Sequence, residues 1–485
     1  MIRRFRPPQT LIHPFVFALG LSGLTFLLAL LVVRPAHQSM AMHGLTLLGY
    51  WQQGFWGLLS FSMQMVVMLV MGQLLANTPL CRKLIEYIGR FCTTTPLAAA
   101  VVSLSAMIMG LFNWSLGLIF GALLAHHVVF VTRSSCAHNT PTPEGKDGGS
   151  SNSPCQPMGY ALIASAGYSA MVIWHAGLSG SAPLLVSEPG HFLAATMGVV
   201  PVSQTLFSPM NLAIVATCLI AVPLSMAGVG MAQQRWWPDS QVPNPSQPPP
   251  IKALEKPTLP EEALPPHQGW YRFEQVLLKS SGLIIMGLWL WTVVQAYHLP
   301  DPTTSTPITL NSINFLLYGL VLWSYGRLTP LLEGARQAMA HTVDIVLQFP
   351  LYAGLMGIFT SSGLLVWFSA GIVGLIEQLP ASANTLMPIG TLLSAGVVNM
   401  FVPSGGGQWA VQGPLLAELA LKLHVPMGKM VMAFAYGDQL TNMVQPFWAL
   451  PLLAITGLRP TQLLPYTTVI MIVSALVFTL GLLLF

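Results

Sequence analysis

The residues able to do chemistry in this 485-residue chain stand inside four apolar stretches, each interrupted near its middle. The first reads FNWSLG and offers Asn113, Ser115 and Gly117. The second, WHAGLSGSAPLL, offers His175, Ser179 and Ser181. The third, NMFVPSGGGQWAVQGP, carries Asn399, Ser404, Gly405, Gly406 and Gly407. The fourth, AYGDQLTNMVQPFWALP, carries Asp438, Thr441 and Asn442. Asp438 is the single charge between Lys429 and Arg459. A carboxylate within an apolar span points to function, because burying it in lipid is costly. With Thr441 and Asn442 beside it, Asp438 suits holding Na⁺ or carrying a proton; a structural anchor between helices is the plainer role. His175 is a second candidate proton carrier, and a satisfied core histidine is its plainer role. No His/Cys/Asp/Glu spacing suggests a resident metal or cofactor, so Na⁺ or H⁺ as a coupling ion is the only inorganic partner expected.

The interruptions follow from length and backbone chemistry. Residues 385–422 as one helix would reach roughly 55 Å at 1.5 Å per residue, against about 30 Å of bilayer hydrocarbon. Pro403 lacks an N–H and Gly405, Gly406 and Gly407 lack side chains, so the helix is expected to break there. Broken backbone at membrane depth must be buried in protein or line a polar cavity. The expectation is a re-entrant hairpin over 385–422, with a matching one over 96–132. Broken spans are expected over 158–186 and 427–454. Helix N-termini at the hairpin tips would suit an anion, with Asn113, Ser115, Gly117, Ser179, Ser181, Asn399, Ser404 and Gly405 to Gly407 as substrate-binding residues. Unwound carbonyls near Gly177 to Ser181 and Gly437 to Asn442 would suit a cation.

Composition sets the class. Apolar residues make up 53% and charged residues 7%, where soluble chains carry about 25% charged residues; mean hydropathy is +0.65. This is the composition of an all-α polytopic membrane protein. The net charge of +4 arises in loops, and no nucleic-acid-binding pattern is present. Five cysteines form no CxxC pair; Cys136 and Cys155 share a loop placed in the cytoplasm, where thiols stay reduced.

Arg3, Arg4 and Arg6 put the N-terminus in the cytoplasm. The layout that follows has about nine full spans and two hairpins, and leaves Arg34, Lys422 and Lys429 as the basic residues outside. Residues 34–50 read as an outer loop. Residues 80–91 and 363–379 read as interfacial helices. Three regions result: a first membrane half, 1–234; a Pro-rich cytoplasmic linker, 235–274; and a second half, 275–485. Gln64 and Gln348, Asn113 and Asn399, and Tyr168 and Tyr436 occupy corresponding places in halves of opposite orientation. Paired interrupted segments of this kind point to a transporter site at the midplane.

The four strings together resemble the bacterial short-chain fatty acid transporter family, of the acetoacetate and butyrate uptake type, over nearly the whole chain. VPSGGG and QPFWALP are the specific strings, and His175 stands where the resemblance leads one to expect a small residue. Within the wider ion-transporter superfamily, the resemblance implies an elevator-like alternating-access carrier. The expected function is import of a short-chain monocarboxylate across the bacterial inner membrane, coupled to H⁺ or Na⁺. Partners are then the substrate and the bilayer, with a homodimer left open. Alternatives are a cation/proton antiporter or a dicarboxylate carrier; the latter would want a basic residue that the expected core lacks. An intramembrane enzyme is the alternative from another class, with His175 and Ser179 or Ser181 its only candidates. No GxxxxGK[ST], HExxH or GxSxG string is present.

Overall fold

The computed structural model describes residues 14–137, 159–236, 268–298, 308–376, 383–400, 402 and 404–485. In these residues regular structure is helical throughout. Helices α1 (Pro14–Val32), α2 (Met40–Gly54), α3 (Leu59–Ala76) and α4 (Pro79–Gly89) precede the first hairpin, α5 (Thr95–Phe112) and α6 (Trp114–Ala137). The first broken span is α7 (Tyr160–Tyr168), two 3₁₀ turns and α8 (Ser181–Leu185). A short α9 (Ala194–Met197) leads to α10 (Pro209–Trp236). Then come α11 (Gln268–His298), α12 (Leu310–Tyr325), α13 (Leu328–Met339), α14 (Val343–Ser361) and α15 (Leu364–Ile376). The second hairpin is α16 (Ala383–Asn399) and α17 (Gly405–Lys422). The second broken span is α18 (Met427–Thr441) and α19 (Pro446–Thr456), and α20 (Pro460–Leu484) closes the chain.

Helix ends sit where the local chemistry stops or starts a helix. Thr78 and Thr94 accept the N–H groups of Cys81 and Leu97, with proline in the first turn of α4 and α5. Thr309 and Ser312 form a reciprocal cap on α12, and Gly326, at φ 59°, ends it. Ser404 accepts the Gly407 N–H and starts α17. Seven stretches are long and apolar enough to cross a membrane among the described residues. The membrane face of α11 is the clearest: 6% of its apolar window is buried, and Trp270, Phe273, Leu283, Ile284 and Trp291 project outward.

One expectation is corrected. Residues 34–50 are helical from Met40, because Ser39 accepts the Met42 N–H and caps α2; the polar His43 and Gln52 hid this helix from a hydropathy reading. The stretch holding Arg327, Glu333 and Arg336 forms α13, amphipathic with Leu331 and Ala338 inward. Residues 80–91 and 363–379 do form separate short helices, α4 and α15. Most of 235–274 lies outside the described residues, as do Cys155, Asp301 and Pro403; α10 and α11 extend helically into its two ends.

The interior is built on close backbone approach. All nine residues of α7 are buried. At the crossing of α6 and α7 a Cβ on Gly121 would lie 2.2 Å from the Gly167 carbonyl oxygen, so only glycine allows these helices to meet. Around this centre α3 packs on α6 and α12, and α14 packs on α17 and α1. Helix α4 rests on α6, and α15 on α17.

Candidate functional site

Each hairpin tip meets a broken span. At tip one, the helix stops at Phe112, Asn113 is extended, and α6 starts at Trp114. Asn113 Oδ1 accepts the Leu116 N–H at 2.9 Å, and its Nδ2 donates to the Met68 carbonyl at 3.2 Å. The break in the first span closes against this tip. Ser179 Oγ accepts the Trp114 N–H at 2.9 Å, and the Leu178 N–H donates to the Leu111 carbonyl at 2.6 Å. The amides of Trp114, Leu116 and Gly117 therefore already have acceptors, which departs from the expectation of free donors for an anion. Gly117 also departs: a Cβ there would lie 2.5 Å from Gly110 Cα, so its bareness lets α5 and α6 close. Ser115 lies beside Gly72 and is buried.

Tip two lies against charge. His175 is fully buried, and its Nδ1 is 3.0 Å from Asp438 Oδ2. The opposite ring nitrogen, Nε2, is 2.8 Å from Ser181 Oγ and accepts the Ala182 N–H at 3.3 Å. A nitrogen accepting from a backbone amide holds its lone pair, and the 3.0 Å approach of Nδ1 to Asp438 Oδ2 is a close contact without hydrogen-bond geometry. The ring is further fixed by stacking on Trp174, centroids 4.2 Å apart at 6°, and the His175 N–H donates to Gln439 Oε1 at 2.9 Å. Gly405, the first residue of α17, covers this pair: a Cβ there would lie 2.6 Å from His175 Cε1 and 2.7 Å from Ser181 Oγ. Gly406 faces the Phe61 ring at 2.2 Å from its own missing Cβ, and Gly407 faces Tyr352.

Beneath the pair, Asn399 Nδ2 donates to the Asp438 carbonyl at 2.6 Å, Thr441 Oγ1 at 3.0 Å and Asn442 Oδ1 at 2.8 Å. Asn399 Oδ1 and both carboxylate oxygens of Asp438 are buried without a hydrogen-bond partner. Buried polar atoms rarely stay so, and three acceptor oxygens in that condition, two on a carboxylate, form a site that can take a cation. A buried carboxylate whose oxygens find no donor is costly in a low-dielectric interior until a cation joins it.

The two breaks are tied to each other. Tyr168 Oη donates to the Asn442 carbonyl at 2.9 Å. Tyr436 Oη donates to Asn211 Oδ1 at 2.8 Å, and Asn211 Nδ2 donates to the Ala176 carbonyl at 3.0 Å. Each tyrosine thus reaches the unwound backbone of the other span, one directly and one through α10. The structure therefore gathers His175, Ser181, Gly405 and Asp438 into one group. Asn399, Thr441 and Asn442 lie next to it, and Asn113, Trp114 and Ser179 form a second group at tip one. Sequence reasoning missed Asn211, a lone polar residue at the start of a long apolar helix, and the bond from His175 to Gln439.

Residues 5–485 match the family described as short chain fatty acid transporter. A protein of Escherichia coli (strain K12), provisionally named a short-chain fatty acid transporter, is 31% identical, covering 97% of this chain and 96% of its own length. A similarly named protein of Haemophilus influenzae is 30% identical, covering 97% and 95%. Among solved structures, Neisseria gonorrhoeae MtrF, described within a class of antimetabolite efflux pumps, superimposes with a TM-score of 0.57 at 15% identity, covering 97% of this chain and 95% of MtrF. The Alcanivorax borkumensis YdaH transporter, described as having an unusual topology, gives 0.55 at 16% identity, covering 96% and 98%. At these identities the two structures share the fold alone.

Proposed function

This chain belongs to the short chain fatty acid transporter family, and from that premise we propose that it imports a short-chain monocarboxylate, acetoacetate or butyrate among them, coupled to a cation. The observation that carries the reading is the buried His175–Asp438 pair beneath the tip of the second hairpin. The Asp438 oxygens, buried without donors, give an inward-moving cation a place to bind. A proton is the better fit, since His175 Nε2 and Asp438 Oδ1 can each accept one. Na⁺ is the other candidate, with Asp438 Oδ1 and Asn399 Oδ1 as ligands and the Asn442 and Thr441 side chains close by.

The coupling logic is electrostatic. Moving a bare buried charge across the bilayer is costly, whereas moving it neutralised is not. Gly405 is the contact through which the state of the pair reaches the hairpin: only a bare backbone fits over His175 and Ser181. The recurring packing of α3 on α6 and α14 on α17 supports two inverted halves, 1–234 and 275–485, joined by the 235–274 linker. It supports re-entrant hairpins that enter from opposite faces. The arginine-rich N-terminus supports a cytoplasmic start and residence in the inner membrane.

One observation favours a second reading, a hydrolase. Ser181, His175 and Asp438 are connected in the order of a nucleophile, base and acid. Two features oppose it. Gly405 closes over Ser181 Oγ, and the amide after the serine, which forms part of an oxyanion hole in such enzymes, donates here to His175. Labelling of Ser181 by a fluorophosphonate would support the hydrolase.

The test is uptake of labelled butyrate and acetoacetate into proteoliposomes under an imposed pH gradient, an imposed Na⁺ gradient, or neither. The reading expects accumulation with one gradient only, the proton gradient first. Equal uptake under all three conditions contradicts it.

A further inference from the structure

The inner ends of α11 and α12 gather basic groups, and the bias of basic residues toward the cytoplasm places this corner at the inner boundary of the membrane. Tyr271, Gln275, Lys279 and Gly282 follow one another at three- and four-residue spacing, which puts them on one face of α11. That face meets α12. A Cβ on Gly282 would lie 2.6 Å from the Gly319 carbonyl oxygen, so the helices close there. Nearer the inner end, the Lys279 stem crosses the turn after α12: a Cβ on Gly326 would lie 2.9 Å from Lys279 Cε. The Arg327 guanidinium stands 4.8 Å over the centre of the Tyr271 ring, a cation–π contact that holds it beside the same face. Arg272 is exposed next to Tyr271. Glu274 is the one acid of α11, and its Oε1 accepts the Leu328 N–H at 2.6 Å. Among the described residues, none of Arg272, Lys279 and Arg327 makes an ion pair with a carboxylate. The surface around them is apolar: Trp270, Phe273, Val276, Leu277 and Leu283 are each more than half exposed.

We propose that this corner binds one anionic phospholipid of the inner leaflet, its phosphate between the Lys279 ammonium and the Arg327 guanidinium and its acyl chains along α11 past Val276 and Leu283. Charge selects the headgroup. A zwitterionic lipid cancels its phosphate with its own ammonium, whereas an anionic lipid brings a net negative charge to cations that lack one. Lys279 lies two turns along α11 from Arg272, roughly 10 Å at 1.5 Å per residue. Its side chain leans toward the helix N-terminus, here the inner end, and its ammonium reaches back to headgroup level. The bare Gly326 turn is the path its stem takes. A free phosphate ion would satisfy the same cations, but it has no chains to lie on the exposed apolar residues. The bound lipid would clamp α11, which packs mainly on α12, to the turn that leads into α13. The inference does not depend on which substrate is carried; it needs a chain that spans the membrane with this end inside.

The experiment titrates the full chain in detergent with dioleoylphosphatidylglycerol, dioleoylphosphatidylcholine or inorganic phosphate. Bound lipid is read by native mass spectrometry and the melting temperature by thermal shift. Phosphatidylglycerol should be preferred to phosphatidylcholine by about thirtyfold, about fivefold for each of the two basic groups, and it should raise the melting temperature as a ligand of the folded state does. Phosphate should not. Lys279→Gln and Arg327→Gln should each cut the preference about fivefold, and the double variant should abolish it. Lys279→Arg should keep it. Arg34→Gln makes the same charge change at the outer end and should leave the preference as it was. An unchanged preference in the double variant would overturn the site. Equal weakening in Arg34→Gln would do the same, as would equal stabilisation by phosphatidylcholine or by phosphate. If the double variant does not fold, each single variant decides by the same measure.

Discussion

Hairpin one turns on a single extended residue, Asn113, whereas hairpin two uses the stretch from Met400 to Ser404 followed by three glycines. The chemistry beneath them differs in step. Tip one is braced by neutral hydrogen bonds from Asn113 and Ser179. Tip two lies with bare backbone on a buried His–Asp pair. Both tips carry an asparagine brace, Asn113 and Asn399, so what separates them is the group each rests on: the Ser179 hydroxyl at tip one and a buried histidine beside a carboxylate at tip two.

Matched substitutions at the two tips can break this comparison. The largest effect is expected from Gly117→Val, whose side chain would meet the Gly110 backbone within 2.5 Å and keep α5 from closing on α6. Little monodisperse protein should survive size-exclusion chromatography. Gly405→Val, by contrast, meets the His175 and Ser181 side chains. It should fold and lose uptake about 10- to 100-fold, as overpacking of about 1–3 kcal/mol implies. If both variants behave alike in yield and in uptake, the two tips do not differ as described.

The paired serines sharpen the comparison on a smaller scale. Ser181→Ala removes the hydroxyl on His175 Nε2, a loss of about 1 kcal/mol, and should slow gradient-driven uptake roughly fivefold while leaving the melting temperature nearly unchanged. Ser179→Ala removes the acceptor of the Trp114 N–H. It should lower thermal stability by about 1 kcal/mol, read by a thermal-shift assay, and leave uptake within about twofold. Exchanged outcomes, with Ser179 controlling uptake and Ser181 controlling stability, would reverse the assignment of the tips.

Much of this was legible in the sequence for a simple physical reason. Proline, glycine and overlong apolar runs state where a helix in lipid must stop, so the breaks near Asn113, Gly177 to Gly180, Ser404 and Gln445 appear where the residue types require them. Hydropathy was a poorer guide for α2, whose polar residues resemble a loop. The pairing of His175 with Asp438 could not be read, because the two residues come from different halves and no local pattern records which buried histidine meets which carboxylate. Nor could the roles of the glycines: Gly117 and Gly405 look alike in sequence, and only their neighbours separate a closing glycine from a contact glycine.

The central claim is that the charge under tip two couples cation movement to substrate movement. It is tested most directly by comparing two transport modes of Asp438→Asn in proteoliposomes: exchange of labelled for unlabelled butyrate without any gradient, and accumulation under an imposed cation gradient. The account predicts that the variant exchanges butyrate at close to the original rate and accumulates none. Full accumulation in Asp438→Asn would contradict it.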